Sequence, residues 1–360
     1  MQHAKLSASG SSRWLSCPAS IKASEQYGES TNSSAEWGTA CHEVGEMVLK
    51  DLDIPKEVNG LEVTAEMLET AEDYAQYCRA LGIAEVEMIE QRMDFSHIVP
   101  EGFGTGDYTA LIDGTLHIVD LKTGHHLVDA EENSQLMLYA IGAIRELEAI
   151  YDINRVVLHI CQSRANHYSD WETTPEHLAE WGKWVSERAN LALTDDAPFS
   201  PSKKACQWCP HQVNCKALKD HVDNAVKGQF DNFEDLEGNA DKIDLEHVKS
   251  ILDNADLIVG FVKAVQEVAL ERMEGGETID GYKLVESRTN RKWKDESEVE
   301  ALLNGEEIHV KKLKPMTKIL KEFGKDYDLE ALLIKPEGKP VVAPESDKRN
   351  AITSVCDQFD

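Results

Sequence analysis

The chain has 360 residues, with 66 Asp or Glu against 37 Lys or Arg and a formal charge of −29. A mean hydropathy of −0.42 suits a soluble protein of about two domains, and with no run of about eighteen apolar residues and no secretory leader it is expected in the cytosol, away from membranes. Its acidity argues against tight, non-specific binding to nucleic acid over the whole surface, because such a surface repels phosphate, but leaves room for a local basic groove.

Residues 1–35 are Ser-rich, with Trp14 and Leu15 ahead of Cys17-Pro18. Apolar or small positions at Ala40, Val44, Met47 and Val48 predict a helix from Ala35 to Leu49, followed by a loop over 51–60. Met67, Leu68, Ala71, Tyr74, Ala75, Cys78 and Leu81 predict a second helix over 64–81. From Ala84 to Phe95 the residues read as a strand, and Pro100 and Gly102 end that region. Strands over 107–112 and 115–121 join at Asp113-Gly114, a dipeptide favoured in tight hairpins because its glycine accepts a positive φ. A helix from Ala130 to Ile150, a strand Arg155–Gln162 and a helix over 175–193 then complete an α/β fold, a mixed sheet flanked by helices. Composition shifts to Pro, Lys and Cys near 198–218, which predicts domains 1–218 and 219–360. The second domain reads as an α+β extension, with a helix from Leu245 to Arg272, a break at Gly275-Gly276, a strand at 280–286 and a Lys-rich run, Lys311–Lys325.

The sharpest local feature is Gly106-Asp107 followed by Asp120-Leu121-Lys122. Positions two apart on a strand face the same way, so Asp120 and Lys122 project together, and the hairpin can bring Asp107 alongside. Convergent carboxylates can hold magnesium or manganese, and a neighbouring lysine can orient water or offset phosphate charge. Alone, an Asp-x-Lys strand reads as a solvated surface ion pair. Two further pairs change that balance. His42 and Glu46 share one helical face, as do Gln135 and Tyr139 on the helix after the Asp120 strand.

Taken in order, Gly38-Thr-Ala-Cys-His42, Glu46, Asp107, Asp120-Leu-Lys122 and Gln135-Leu-Met-Leu-Tyr139 resemble the RecB-type branch of the PD-(D/E)xK nuclease superfamily. The resemblance implies a restriction-endonuclease-like core and metal-dependent cleavage of DNA. It implies that His42, Asp107, Asp120 and the Leu121 carbonyl bind metal and that Lys122 positions or activates water. Gln135 and Tyr139 would support the site and the substrate strand, and Glu46 would assist at a second metal or at the lysine.

Cys206-x2-Cys209-x5-Cys215 can gather around one centre that needs a fourth ligand, with His211 inside the loop and Cys17 far upstream as options. One early and three late cysteines also resemble RecB-type nucleases carrying an iron–sulfur cluster, of the helicase–nuclease AddB kind and the CRISPR-associated kind. That likeness implies Cys17, Cys206, Cys209 and Cys215 around a 4Fe–4S cluster, with structural zinc the alternative. Cys41, Cys78, Cys161 and Cys356 read as ordinary buried residues.

Residues 281–325 hold eleven Lys or Arg against eight acids, +3 in a chain whose remainder is −32. Arg288, Arg291, Lys292, Trp293 and Lys294 interleave cations with an aromatic, a pattern that suits backbone phosphate and a stacked base and equally suits a solvated charged face. The layout from Cys17 to this segment also resembles a phage- and prophage-associated nuclease family. It implies an exonuclease of the host cytoplasm that resects linear duplex ends for recombination or repair, with a single-strand annealing protein as partner. A homo-oligomeric ring with a basic channel would reconcile the acidic exterior with DNA. A structure-specific endonuclease and a catalytically silent DNA-binding subunit are the competing readings.

Overall fold

The computed structural model describes residues 4–28, 33–227 and 245–285. In chain order, α1 (Ser11–Ser16) and α2 (Ser20–Ser24) precede α3 (Ser33–Leu49), the small hairpin β1 (Glu57–Val58) and β2 (Leu61–Glu62), and α4 (Ala65–Ala80). Next come β3 (Val86–Asp94), β4 (Phe103–Ile112), β5 (Thr115–Leu121), α5 (Ser134–Leu147), β6 (Arg155–Gln162), β7 (His167–Thr173) and α6 (Pro175–Ala192). The cysteine-rich segment carries α7 (Lys203–Cys206) and α8 (Lys216–Lys227), and α9 (Leu245–Glu274) follows. Met1–Leu284 form one compact unit; a second, Val285–Asp360, lies outside the described residues beyond its first.

Strands β3 to β7 form one mixed sheet in sequence order, in which β5 and β6 are the parallel pair. A parallel pair needs a crossover, and α5 supplies it. The β4–β5 turn places Asp113 at φ +47° and Gly114 at φ +71°, the left-handed pair that a tight hairpin uses.

Alternation along β5 sends side chains to two cores. Leu116 and Ile118 join Leu158 and Ile160 of β6, Trp14 of α1, Leu136 of α5 and Val185 of α6. Val119 and Leu121 enter the other core with Val44 of α3 and Tyr74 of α4. Burying side chains of this size stabilises by about 1.5–3 kcal/mol each. Helix α5 begins four residues later than the periodicity suggests, because Asn133 caps it, accepting from the Gln135 and Leu136 amides.

Two strand expectations need correction. β7 is absent from the strands that the sequence predicts; it is a polar edge strand, its residues alternately exposed, paired among the described residues with β6. The strand expected at 280–286 is not formed over 280–285, which run as a turn and irregular chain after Gly276 turns at φ +93°. Arg288, Arg291, Lys292, Trp293, Lys294, the run Lys311–Lys325 and Cys356 lie outside the described residues. Among the described residues no helix is long and apolar enough to cross a membrane.

Candidate metal centre

The β4–β5 ladder ends at the pair Tyr108–Val119, so Asp107 and Asp120 stand one step beyond it, where the strands part. Asp107 takes over the role of a strand carbonyl: its Oδ2 accepts the Leu121 N–H at 2.7 Å. Its Oδ1 lies 3.3 Å from Nδ1 of His42, which α3 delivers. Gly38 on that helix permits close approach, since a Cβ there would meet Thr123 Oγ1 at 3.0 Å.

From β3 comes a residue that sequence reasoning missed. Glu90 falls opposite Asp107, between the pairs Ile89–Tyr108 and Gln91–Gly106, yet makes no ladder pair of its own and sits at φ +50°. A left-handed backbone at a non-glycine residue costs about 1–2 kcal/mol, strain that gathers where function requires it. One ligand atom from each of His42, Glu90 and Asp107 lies within 4.8 Å of the other two.

Beside this triad is a second network. Lys122 Nζ lies 2.7 Å from Asp120 Oδ2 and donates to Gln135 Oε1 at 3.1 Å. Gln135 Nε2 donates to Asp120 Oδ1 at 2.9 Å and to Tyr139 Oη at 3.2 Å. The Asn133 cap places Gln135 in the first turn of α5 and Tyr139 one turn later, both facing Asp120.

Burial disfavours every charge here, and the neighbours decide the balance. Burial pulls His42 down, but Asp107 outweighs it and raises the imidazole to about 9. Burial and then the Asp107 charge push Glu90 up to about 8. Asp107 is lowered despite its burial, chiefly by His42. Asp120 is raised by burial against the pull of Lys122, while Lys122, penalised by burial, is raised by Asp120.

The expected residues therefore divide between two adjoining groups, His42 with Asp107, and Asp120 with Lys122, Gln135 and Tyr139. Leu121 contributes its amide to Asp107. Glu46 points to Lys50, with Oε1 and Nζ 2.5 Å apart. A signal for Glu90 was present in the sequence only as an acid inside a strand. One nitrogen and two carboxylate donors suit magnesium or manganese. The 3.3 Å between His42 and Asp107 is close to the roughly 3 Å between adjacent ligands on one octahedral ion with bonds of about 2.1 Å.

A second candidate site lies at the cysteines. Cys17, Cys206, Cys209 and Cys215 line one cavity, shared with Ser200, His211 and Leu218. Amides face the sulfurs: Ser200 N–H donates to Cys17 Sγ at 3.3 Å and Leu218 N–H to Cys215 Sγ at 3.4 Å. Burial pushes the Cys17 thiol up and that of Cys206 to about 11, so both stay protonated unless a metal displaces the proton. His211 Nδ1 lies 3.1 Å from Tyr27 Oη. Cys41, Cys78 and Cys161 are fully buried in the α3–α4 core, as expected of apolar residues.

A family profile described as "Protein of unknown function (DUF2800)" matches residues 3–350, and the chain belongs to that family. Among solved structures, one titled "Crystal structure of SSO0001" is similar over 60% of this chain and 89% of that chain, at 13% identity and a TM-score of 0.30, too slight a likeness to carry a fold assignment.

Proposed function

We propose that this member of the family is a metal-dependent deoxyribonuclease with a PD-(D/E)xK core, an exonuclease working from duplex ends. The supporting observation is convergence: α3, β3, β4, β5 and α5 bring His42, Glu90, Asp107, Asp120, Lys122, Gln135 and Tyr139 to one end of the sheet. His42, Glu90 and Asp107 would hold magnesium or manganese, with Asp120 and the Leu121 carbonyl completing the donor set that the resemblance implies. Such an ion polarises a phosphodiester and lowers the pKa of water bound to it.

The chain's own groups do the rest. Lys122 is held as an ammonium by Asp120, so it acts as a donor and not as a base. The ammonium pairs with Asp120 Oδ2 and donates to Gln135 Oε1, a placement from which it would orient an attacking water or offset charge on phosphate. Gln135 bridges Asp120 and the ammonium, and Tyr139 accepts its remaining N–H, so the pair cannot swing apart without breaking several hydrogen bonds.

In the same reading the four cysteines hold a 4Fe–4S cluster. The supporting observation is that all four line one cavity, and four thiolates on zinc are the alternative.

The test is protein purified without oxygen, given end-labelled linear duplex with magnesium or manganese and, in parallel, with EDTA. Shortening from the ends that EDTA abolishes is the expected result, and covalently closed circles should survive. Asp120→Ala and Lys122→Ala should each lower kcat about a hundredfold or more. Cleavage of the circles would make the protein an endonuclease; no product with either metal would make it a silent DNA-binding subunit.

A further inference from the structure

Between the ligand-spaced Cys206 and Cys209 stands Trp208, an indole left 71% exposed. The turn that carries it is fixed, since Cys206 N–H donates to Ser202 O and Cys209 N–H to Cys206 O. Trp208 meets His126 edge to face, with ring centroids 5.9 Å apart and planes at 70°. His126 belongs to the loop that leaves Lys122, and that loop is clamped to the sheet. Gln162, wholly buried at the end of β6, donates to Gly124 O at 2.6 Å and His126 O at 2.8 Å, and accepts the Val128 N–H at 3.2 Å. Immediately before Gln162, the Cys161 carbonyl accepts the Lys122 N–H at 2.8 Å. The exposed indole thus contacts the loop that begins at the site lysine, and that loop is clamped to β6.

We propose that Trp208, backed by His126, is a stacking platform for an unpaired nucleobase of the strand that reaches Lys122, an inference that rests on the nuclease reading above. An edge-to-face partner holds an aromatic ring while leaving a face open. Every base offers a π-face, so such a platform takes single strands of any sequence. In a chain of charge −29, long-range attraction for phosphate is weak, and stacking carries more of the binding. Lys204, in the short helix α7 just before this turn, is exposed and would offer a cation to the backbone.

The experiment uses the full chain with iron present and fluorescein-labelled oligothymidine as probe, in EDTA for binding and in magnesium for cleavage. Trp208→Ala should weaken binding about tenfold or more and raise KM by a similar factor, with kcat within about twofold. Trp208→Phe should recover most of the loss. Replacing one thymidine by an abasic residue should weaken wild-type binding at a defined position and add nothing to the loss in Trp208→Ala. Unchanged binding and KM in the alanine variant overturn the platform and leave the nuclease reading standing. Binding that depends on Trp208 in a protein that never cuts keeps the platform and removes the nuclease reading. A protein that neither binds nor cuts removes both. Should the alanine variant lose its iron, the abasic series on wild-type protein decides, and the absence of any sensitive position overturns the platform.

Discussion

Glu90 is strained, partly buried and set against another carboxylate, so the protein without metal carries a repulsion that a cation would relieve. Its carboxyl is raised from 4.5 to about 8, so without metal the fold loses stability as pH rises through that window, where the unfolded chain releases the proton and the folded one retains it. Glu90→Gln should therefore stabilise EDTA-treated protein at pH 8 by about 1–3 kcal/mol while weakening manganese binding tenfold or more. Thermal unfolding with and without manganese checks both halves; equal manganese stabilisation of both proteins would remove Glu90 from the ligand set. His159 shows the opposite sign. Its ring is buried between Tyr77 Oη, 3.0 Å from Nδ1, and His117 Nδ1, 3.0 Å from Nε2. Burial, then His117, lowers it from 6.5 to about 4. Its contribution is complete above pH 6.5 and is lost as pH falls through 4, about 3 kcal/mol in all. His159→Gln should flatten the acid limb of a stability–pH profile over that window, and parallel profiles for the two proteins would count against it.

At the scale of elements, the site depends on how closely α5 approaches β4. Gly104 makes the room: a Cβ there would stand 2.7 Å from Cε1 of Tyr139 and 3.3 Å from its Oη. Gly104→Ala should cost about 1–3 kcal/mol and displace the ring that accepts from Gln135, so cleavage falls along with stability. Tyr139→Phe, which removes only the hydroxyl, should cost less stability; unfolding midpoints and kcat for both variants test the pairing. Much of this architecture was legible in the sequence. Leu116, Ile118, Val119 and Leu121 belong to a strand buried on both faces, Asp113-Gly114 names its turn, and the spacing from Gln135 to Tyr139 fits one helical face. β7 was not legible because an edge strand between solvent and one neighbour needs few apolar residues, and His167–Thr173 looks like loop. Glu90 could not be singled out because its role is set by register and by one unusual dihedral, while it stands near other acids, Glu85 and Glu87, along the same segment.

At the scale of the molecule, the cysteine cavity joins chain segments about 190 residues apart. Arg188 of α6 reinforces the same closure, donating to Leu15 O at 2.8 Å and Ser16 O at 3.2 Å. The early and late cysteines were legible as a set from spacing and resemblance, but their sharing of one cavity was visible only in three dimensions. On the iron–sulfur reading, Cys17→Ala should abolish iron binding and lower the unfolding midpoint markedly, since a crosslink closing so long a loop would stabilise by about 5 kcal/mol on the chain-entropy account. Iron analysis and calorimetry check this, and an unchanged midpoint would exclude Cys17 as a ligand. The closure also imposes an order in time. Trp14 is fully buried, packed in the core that α6 completes. On a ribosome adding about 5–20 residues per second, Cys17 emerges roughly 10–40 seconds before Cys206 to Cys215. Through that interval the nascent segment around Trp14 and Cys17 has neither its last helical neighbour nor its fellow thiols, and is open to chaperones and to premature oxidation.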